Sequence, residues 1–183
     1  MEYEHDNQPG ASDADAPRTY TELWHGADVL IRKGLADQPG SQWVFLSVLL
    51  MLSLCLEAYL NFAGPLMFGS IWSEGERPLA HKSAKARLRV IAAACGVELC
   101  GGRKYWTVAS NLLDLRESMT QARQPNLPTA QTRDEDGPPS LNSSWGRHCN
   151  GNVVRDYQAQ LKGLIESLHA ALPNLPRRGA FSS

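Results

Sequence analysis

A chain of 183 residues that is 43% apolar and 20% charged has the size and composition of one soluble globular domain with a sizeable core. Its net charge of −1 is unevenly spread: residues 1–18 carry five acidic groups against Arg18, net −4, whereas residues 74–123 carry nine basic groups against five acidic ones, net +4. The basic excess attracts phosphate without demanding it and reads first as a solvated helix face, so nucleic acid is permitted and not required.

Residues 1–18 are rich in Asp, Ala, Gly and Pro, and an acidic disordered tail is expected there. No apolar segment follows Met1-Glu2-Tyr3-Glu4-His5-Asp6, which argues against a secretory signal and sets the expectation of a cytoplasmic protein. From Thr19 to about Ala36, Leu23, Ala27, Leu30, Ile31 and Leu35 recur at helical spacing and predict an amphipathic first helix, closed by Asp37-Gln38-Pro39-Gly40. Ser41 is the expected N-cap of a second helix running from Trp43 to about Phe62, with Gly64-Pro65 as its stop. Its uncharged part, Trp43 to Leu56, is shorter than the roughly 20 residues a span needs, and Glu57 and Asn61 would be costly in lipid. A buried central helix is therefore expected, with no membrane partner.

Gly64 to Trp72 reads as a loop, and the Ser73-Glu74-Gly75-Glu76 capping-box spacing is weakened by Gly75 and Pro78. A third helix is predicted over Leu79 to Cys95, with Leu88, Ile91, Ala92 and Cys95 inward, a basic opposite face and Gly96 as stop. The fourth is predicted from about Tyr105 to Ala122, with Trp106, Ala109, Ser110 and Leu113 inward. A mobile loop is expected at about 124–150, because Pro125, Pro128, Gly137, Pro138 and Pro139 punctuate it. The last helix is predicted over about Gly151 to Ala171, followed by a tail from 173 to 183. No alternating apolar pattern long enough for a sheet is present, so the fold expected is all-α, a four- to five-helix bundle within a single domain over 19–172.

Four cysteines without regular spacing point to reduced thiols, and Cys55, on the apolar helix, reads as core packing. Cys95, Cys100, His148 and Cys149 make a poor zinc set, since the adjacent pair His148-Cys149 would struggle to aim two ligands at one tetrahedral ion. No metal or cofactor is expected. Phosphate-binding, dinucleotide, zinc-protease and hydrolase signatures are absent from the sequence.

Two segments carry a resemblance. Leu56-Glu57-Ala58-Tyr59-Leu60-Asn61 and Leu115-Arg116-Glu117-Ser118-Met119-Thr120-Gln121 resemble the paired motifs of HEPN-type helical domains, over roughly residues 43 to 123. In that family a Glu-Ala-Tyr-(Leu/Ile)-Asn helix precedes Leu-Arg-Asn-x-(Leu/Met)-x-His, and the Arg and His cut RNA without a metal. In this chain Arg116 is kept, while Glu117 stands at the Asn position and Gln121 at the His position. An amide does not titrate near neutrality and cannot act as a general base, and Glu117 adds negative charge beside Arg116. The resemblance thus implies a non-catalytic HEPN-like protein working through RNA or a cognate protein partner, in a bacterial stress, defence or toxin-antitoxin setting, as a homodimer. Arg87, Arg89, Arg103, Lys104 and Arg123 are the expected RNA-contacting groups. The alternatives are a metal-independent endoribonuclease pairing Arg116 with His148 or a partner's group, and a structural or membrane-associated helical protein. Glu57 and Asn61 share one helix face whose polar groups need partners, and because that face looks toward the Arg-containing helix in the HEPN-type family, the resemblance implies a contact from Glu57 to Arg116.

Overall fold

The computed structural model describes residues 19–36, 39–76, 78–100, 104–120, 146–173 and 180–181. The expected N-terminal tail, most of the expected C-terminal tail and of the expected mobile loop, and Arg103, Gln121 and Arg123 lie outside them.

Five α-helices and no strand occur among the described residues: α1 (Thr19–Ala36), α2 (Ser41–Phe68), α3 (Ala84–Ala94), α4 (Tyr105–Thr120) and α5 (Gly151–Ala170). α2 is the hub, touching each of the other four, while α4 and α1 also pack on α5 and α3 on α4. Its apolar residues go inward almost all the way round: Val48, Leu49, Leu52, Cys55, Leu56, Tyr59, Leu60 and Ala63 are all fully buried. A helix apolar on every side is stable in water only when surrounded, which is why it sits at the centre. Cys55 is a core residue as expected; its thiol donates to Tyr20 O at 3.2 Å, and burial pushes its pKa up to about 12.

The ends of α2 differ from expectation. Gly40, not Ser41, is the N-cap: its φ of 78° takes the chain around a left-handed turn that glycine adopts without strain, so Ser41 is already the first helical residue. At the other end the helix passes through Gly64 and Pro65 and stops at Gly69, whose N–H donates to Pro65 O. Proline in the last turn forfeits one backbone hydrogen bond, and packing compensates. Gly64 is a contact residue here: a Cβ on it would come within 2.3 Å of the Trp72 ring, which the 3-10 turn Gly69–Trp72 folds back over the helix and stacks near Phe68, centroids 6.3 Å apart. At 28 residues α2 exceeds the expected length, and Ser41–Trp72 is long and apolar enough to cross a membrane by length and composition; 56% of its most apolar stretch is buried inside the protein.

α3 is shorter than expected. Leu79–His81 forms a separate 3-10 turn, and the helix begins after Ser83, whose Oγ accepts from Ala86 N at 3.3 Å. It ends as expected at Gly96, φ 66°, where Val97 N–H bonds Ala92 O and Gly96 N–H bonds Ala93 O, the paired bonds of a Schellman cap. α4 is rotated from the expected stripe: Val108, Leu112 and Leu115 are buried with Ala109 and Leu113, while Trp106 and Ser110 are half-buried. α5 buries Val154, Tyr157, Leu161, Leu164, Ile165 and Leu168, with Asn150 capping its N-terminus through Val153 N at 3.0 Å. Phe181, from the expected tail, stacks on Trp24 of α1 with centroids 4.2 Å apart.

The close approach at Gly64 makes a prediction. Gly64→Ala would gain about 1 kcal/mol of helix propensity on an open surface, yet overpacking against a rigid indole costs about 1–3 kcal/mol. Thermal denaturation should therefore show Gly64→Ala melting below wild type, and the same change in a Trp72→Leu background should be neutral or stabilising. A higher Tm for Gly64→Ala alone would mean that Trp72 is not seated there.

Candidate functional site

Where α2, α3 and α4 meet, four polar side chains form one network. Glu57 and Asn61 stand one turn apart on the flank of α2, Arg87 enters from α3 and Arg116 from α4. Arg87 Nη2 lies 2.9 Å from Glu57 Oε1, and Arg87 Nη1 donates to Asn61 Oδ1. Arg116 Nη1 pairs with the other carboxylate oxygen, Glu57 Oε2. The expected contact between Glu57 and Arg116 is thus made, and Glu57 is shared between two guanidiniums.

Arg87 corrects the sequence reading. Expected among the RNA-contacting groups, it is instead 7% exposed and committed to Glu57 and Asn61, with Nε left without a partner. The spacing held a clue: Arg87 precedes Ile91 by four residues and so shares its inward stripe. A guanidinium can be buried there only against a carboxylate, and Glu57 provides it. Arg89, by contrast, is exposed and lies over the Trp106 ring, 4.2 Å from its centroid, tying α3 to α4 by a cation–π contact. Lys104 is exposed just before α4.

Beside the network lies a cleft of about 330 Å³, lined by Glu57, Lys82, Lys85, Arg87, Arg116 and Glu117 among others. Its four basic groups outnumber the two carboxylates by two; Asp114, paired with Lys85 at 2.5 Å, lowers the surplus to one. Glu117 therefore occupies the same cleft as Arg116, and Gln121 lies outside the described residues. No histidine lines this cleft among the described residues.

His148 is elsewhere. It follows Arg147 in a 3-10 turn, Gly146–His148, and lines a second cleft of about 250 Å³ with Asn111, Arg147 and Tyr157 over Leu49, Leu112 and Leu115. Tyr157 Oη is 3.3 Å from His148 Nδ1, and Arg147 Nε donates to His148 Nε2 at 3.0 Å. Burial, and secondarily the Arg147 charge, hold the imidazole below its ordinary pKa, so it is neutral at pH 7. Arg116 and His148 thus line different clefts. The second one escaped sequence reading because its members, at 111, 147, 148 and 157, form no motif.

Compared with known proteins, the chain matches no family model, no curated protein and no solved structure. The class that fold and site define is an all-α bundle whose central helix is tied to two neighbours by a shared carboxylate.

Burial ranks the members of that tie. Arg87→Ala leaves Glu57 with Arg116 as its remaining ionic partner and removes the Asn61 contact beside a solvent-filled cleft, and should cost about 1.5–3 kcal/mol, as for hydrogen bonds to a charged group. Arg116, 36% exposed at its side chain, should cost markedly less. Urea denaturation of Glu57→Ala, Arg87→Ala and the double variant should give a double loss smaller than the sum of the singles. Additive losses would mean that the two side chains do not interact.

Proposed function

We propose that the chain is a non-catalytic HEPN-like protein that contacts RNA through the basic cleft between α3 and α4, as a cytoplasmic homodimer in a bacterial stress, defence or toxin-antitoxin setting. The observation that carries the non-catalytic reading is the Glu57–Arg116 pair: the guanidinium that would hold a scissile phosphate already faces a carboxylate, with Glu117 in the same cleft. A general base is also missing from the motif, since Gln121 stands where the resemblance calls for His. RNA contact is supported by the cationic surplus of the cleft, including exposed Lys82, and by exposed Arg89 and Lys104 on the adjoining surface. The setting and the dimer rest on the resemblance alone. The cytoplasmic part is supported by Glu57 and Asn61, whose partners on α3 and α4 occupy the flank of α2 that a membrane-spanning role would leave in lipid.

A nuclease pairing Arg116 with His148 has less support within one copy, because the two residues line separate clefts. Partition of the protein into the membrane fraction, released only by detergent, would favour the membrane-associated alternative.

The test is a cleavage and binding assay on single-stranded RNA with chelator present. Wild type should bind RNA at low salt without cutting it, Lys82→Glu with Lys104→Glu should weaken binding roughly tenfold or more by removing phosphate contacts, and Glu117→Asn with Gln121→His should cut. Cleavage by the unmutated protein that disappears in Arg116→Ala would overturn the non-catalytic reading, and absence of RNA binding at low salt would overturn the RNA reading in favour of a protein partner.

A further inference from the structure

The second cleft plays no part in the proposed function, and hydrogen-bond accounting shows an unused donor in its wall. A guanidinium has no acceptor, so the contact from Arg147 Nε obliges His148 Nε2 to present its lone pair. The neutral imidazole then carries its proton on Nδ1, and Nδ1–H donates to Tyr157 Oη. The same oxygen accepts from Asn111 Nδ2 at 2.8 Å. Both of its lone pairs are engaged, and its own O–H has no acceptor among the described residues. Tyr157 is only 8% exposed, so an unsatisfied hydroxyl there is costly unless something in the cleft receives it.

The surroundings specify what that something is. Arg147 brings positive charge and has no carboxylate partner among the described residues. Asp114, the one acidic group of the lining, is held by Lys85 and Ser110. Leu49 and Leu112 lie behind the cleft, fully buried, and an edge of Leu115, 6% exposed, is its apolar contact. A few convergent polar groups in a concave site are what fix the orientation of a small ligand.

We propose that this cleft binds a small ligand carrying an anionic oxygen, the oxygen accepting from the Tyr157 hydroxyl and the Arg147 guanidinium while the rest of the ligand fills the cleft beside Leu115. A carboxylate and a phosphate monoester share this chemistry. The site is independent of any role in RNA contact.

Benzoate and phenyl phosphate are suitable probes, with benzyl alcohol as the uncharged control, titrated into the full chain while following the His148 ring-proton resonance, assigned by its loss in His148→Gln. At least one anion should shift that resonance saturably, roughly tenfold or more tighter than benzyl alcohol, and the tighter of the two identifies the headgroup. Tyr157→Phe keeps the ring and deletes the hydroxyl; it should weaken anion binding roughly ten- to a hundredfold, as expected for a hydrogen bond to a charged acceptor. Arg147→Gln, at an exposed position that does not threaten folding, should weaken it similarly, whereas Lys82→Gln in the other cleft should leave it unchanged. Absence of a saturable shift with either anion, equal binding of benzyl alcohol, a folded Tyr157→Phe or Arg147→Gln variant with wild-type affinity, or an equal loss in Lys82→Gln would each overturn the proposal.

Discussion

The arrangement of α2, α3 and α4 depends on one carboxylate shared between two guanidiniums. Apolar packing alone tolerates small rotations and slides, because one leucine contact is much like the next. Glu57 tolerates none of these: its two oxygens face Arg87 and Arg116 on different helices, and Asn61 one turn on takes the second arm of Arg87. Withdrawing Arg87 from water costs several kcal/mol, which Glu57 and Asn61 offset in part, its Nε being left without a partner. The wrong rotation of α3 would bury Arg87 with nothing to meet it. The network thus contributes through what it forbids, and it fixes the orientation of α3, at 11 residues a helix too short to be stable alone in water.

The same helix that supplies this carboxylate supplies the core. α2 is apolar on all sides over most of its length, and the other four helices take up those sides. Its exposed apolar groups, Trp43, Leu54 and Leu66, with Ile71 beyond its end, show where that coverage runs out. Glu57 and Asn61 are the polar features of this 28-residue apolar helix, and Arg87 of α3 bonds both of them.

The helices were legible from the sequence because their periodicity is strong: α1 occupies Thr19–Ala36 as its apolar spacing implied, and α5 buries the face read from Val154 to Leu168. The errors fell where local rules compete with packing. Gly64-Pro65 has the composition of a helix stop, yet the missing Cβ admits the Trp72 ring and the helix continues. Arg87 has the composition of a surface cation, yet its place on the Ile91 stripe puts it inside, where a carboxylate from another helix neutralises it. Neither partner is close in sequence, so neither outcome follows from local pattern. A polar pair on an apolar helix demands a partner, and the motif resemblance pointed to Arg116 as that partner; the His148 cleft had no such pointer, because four residues from three separate segments converge there.

Amide hydrogen exchange in wild type and in Glu57→Gln tests the central role of this carboxylate most directly. The substitution keeps the shape of the side chain and removes its charge, leaving two guanidiniums without their shared counter-ion. If Glu57 holds α3 and α4 to α2, the amides of Ala84–Ala94 and of the C-terminal half of α4 should exchange about tenfold faster or more, while α1 and α5 keep their protection. Unchanged protection across Ala84–Ala94 would show that apolar packing alone fixes α3 and would contradict the account.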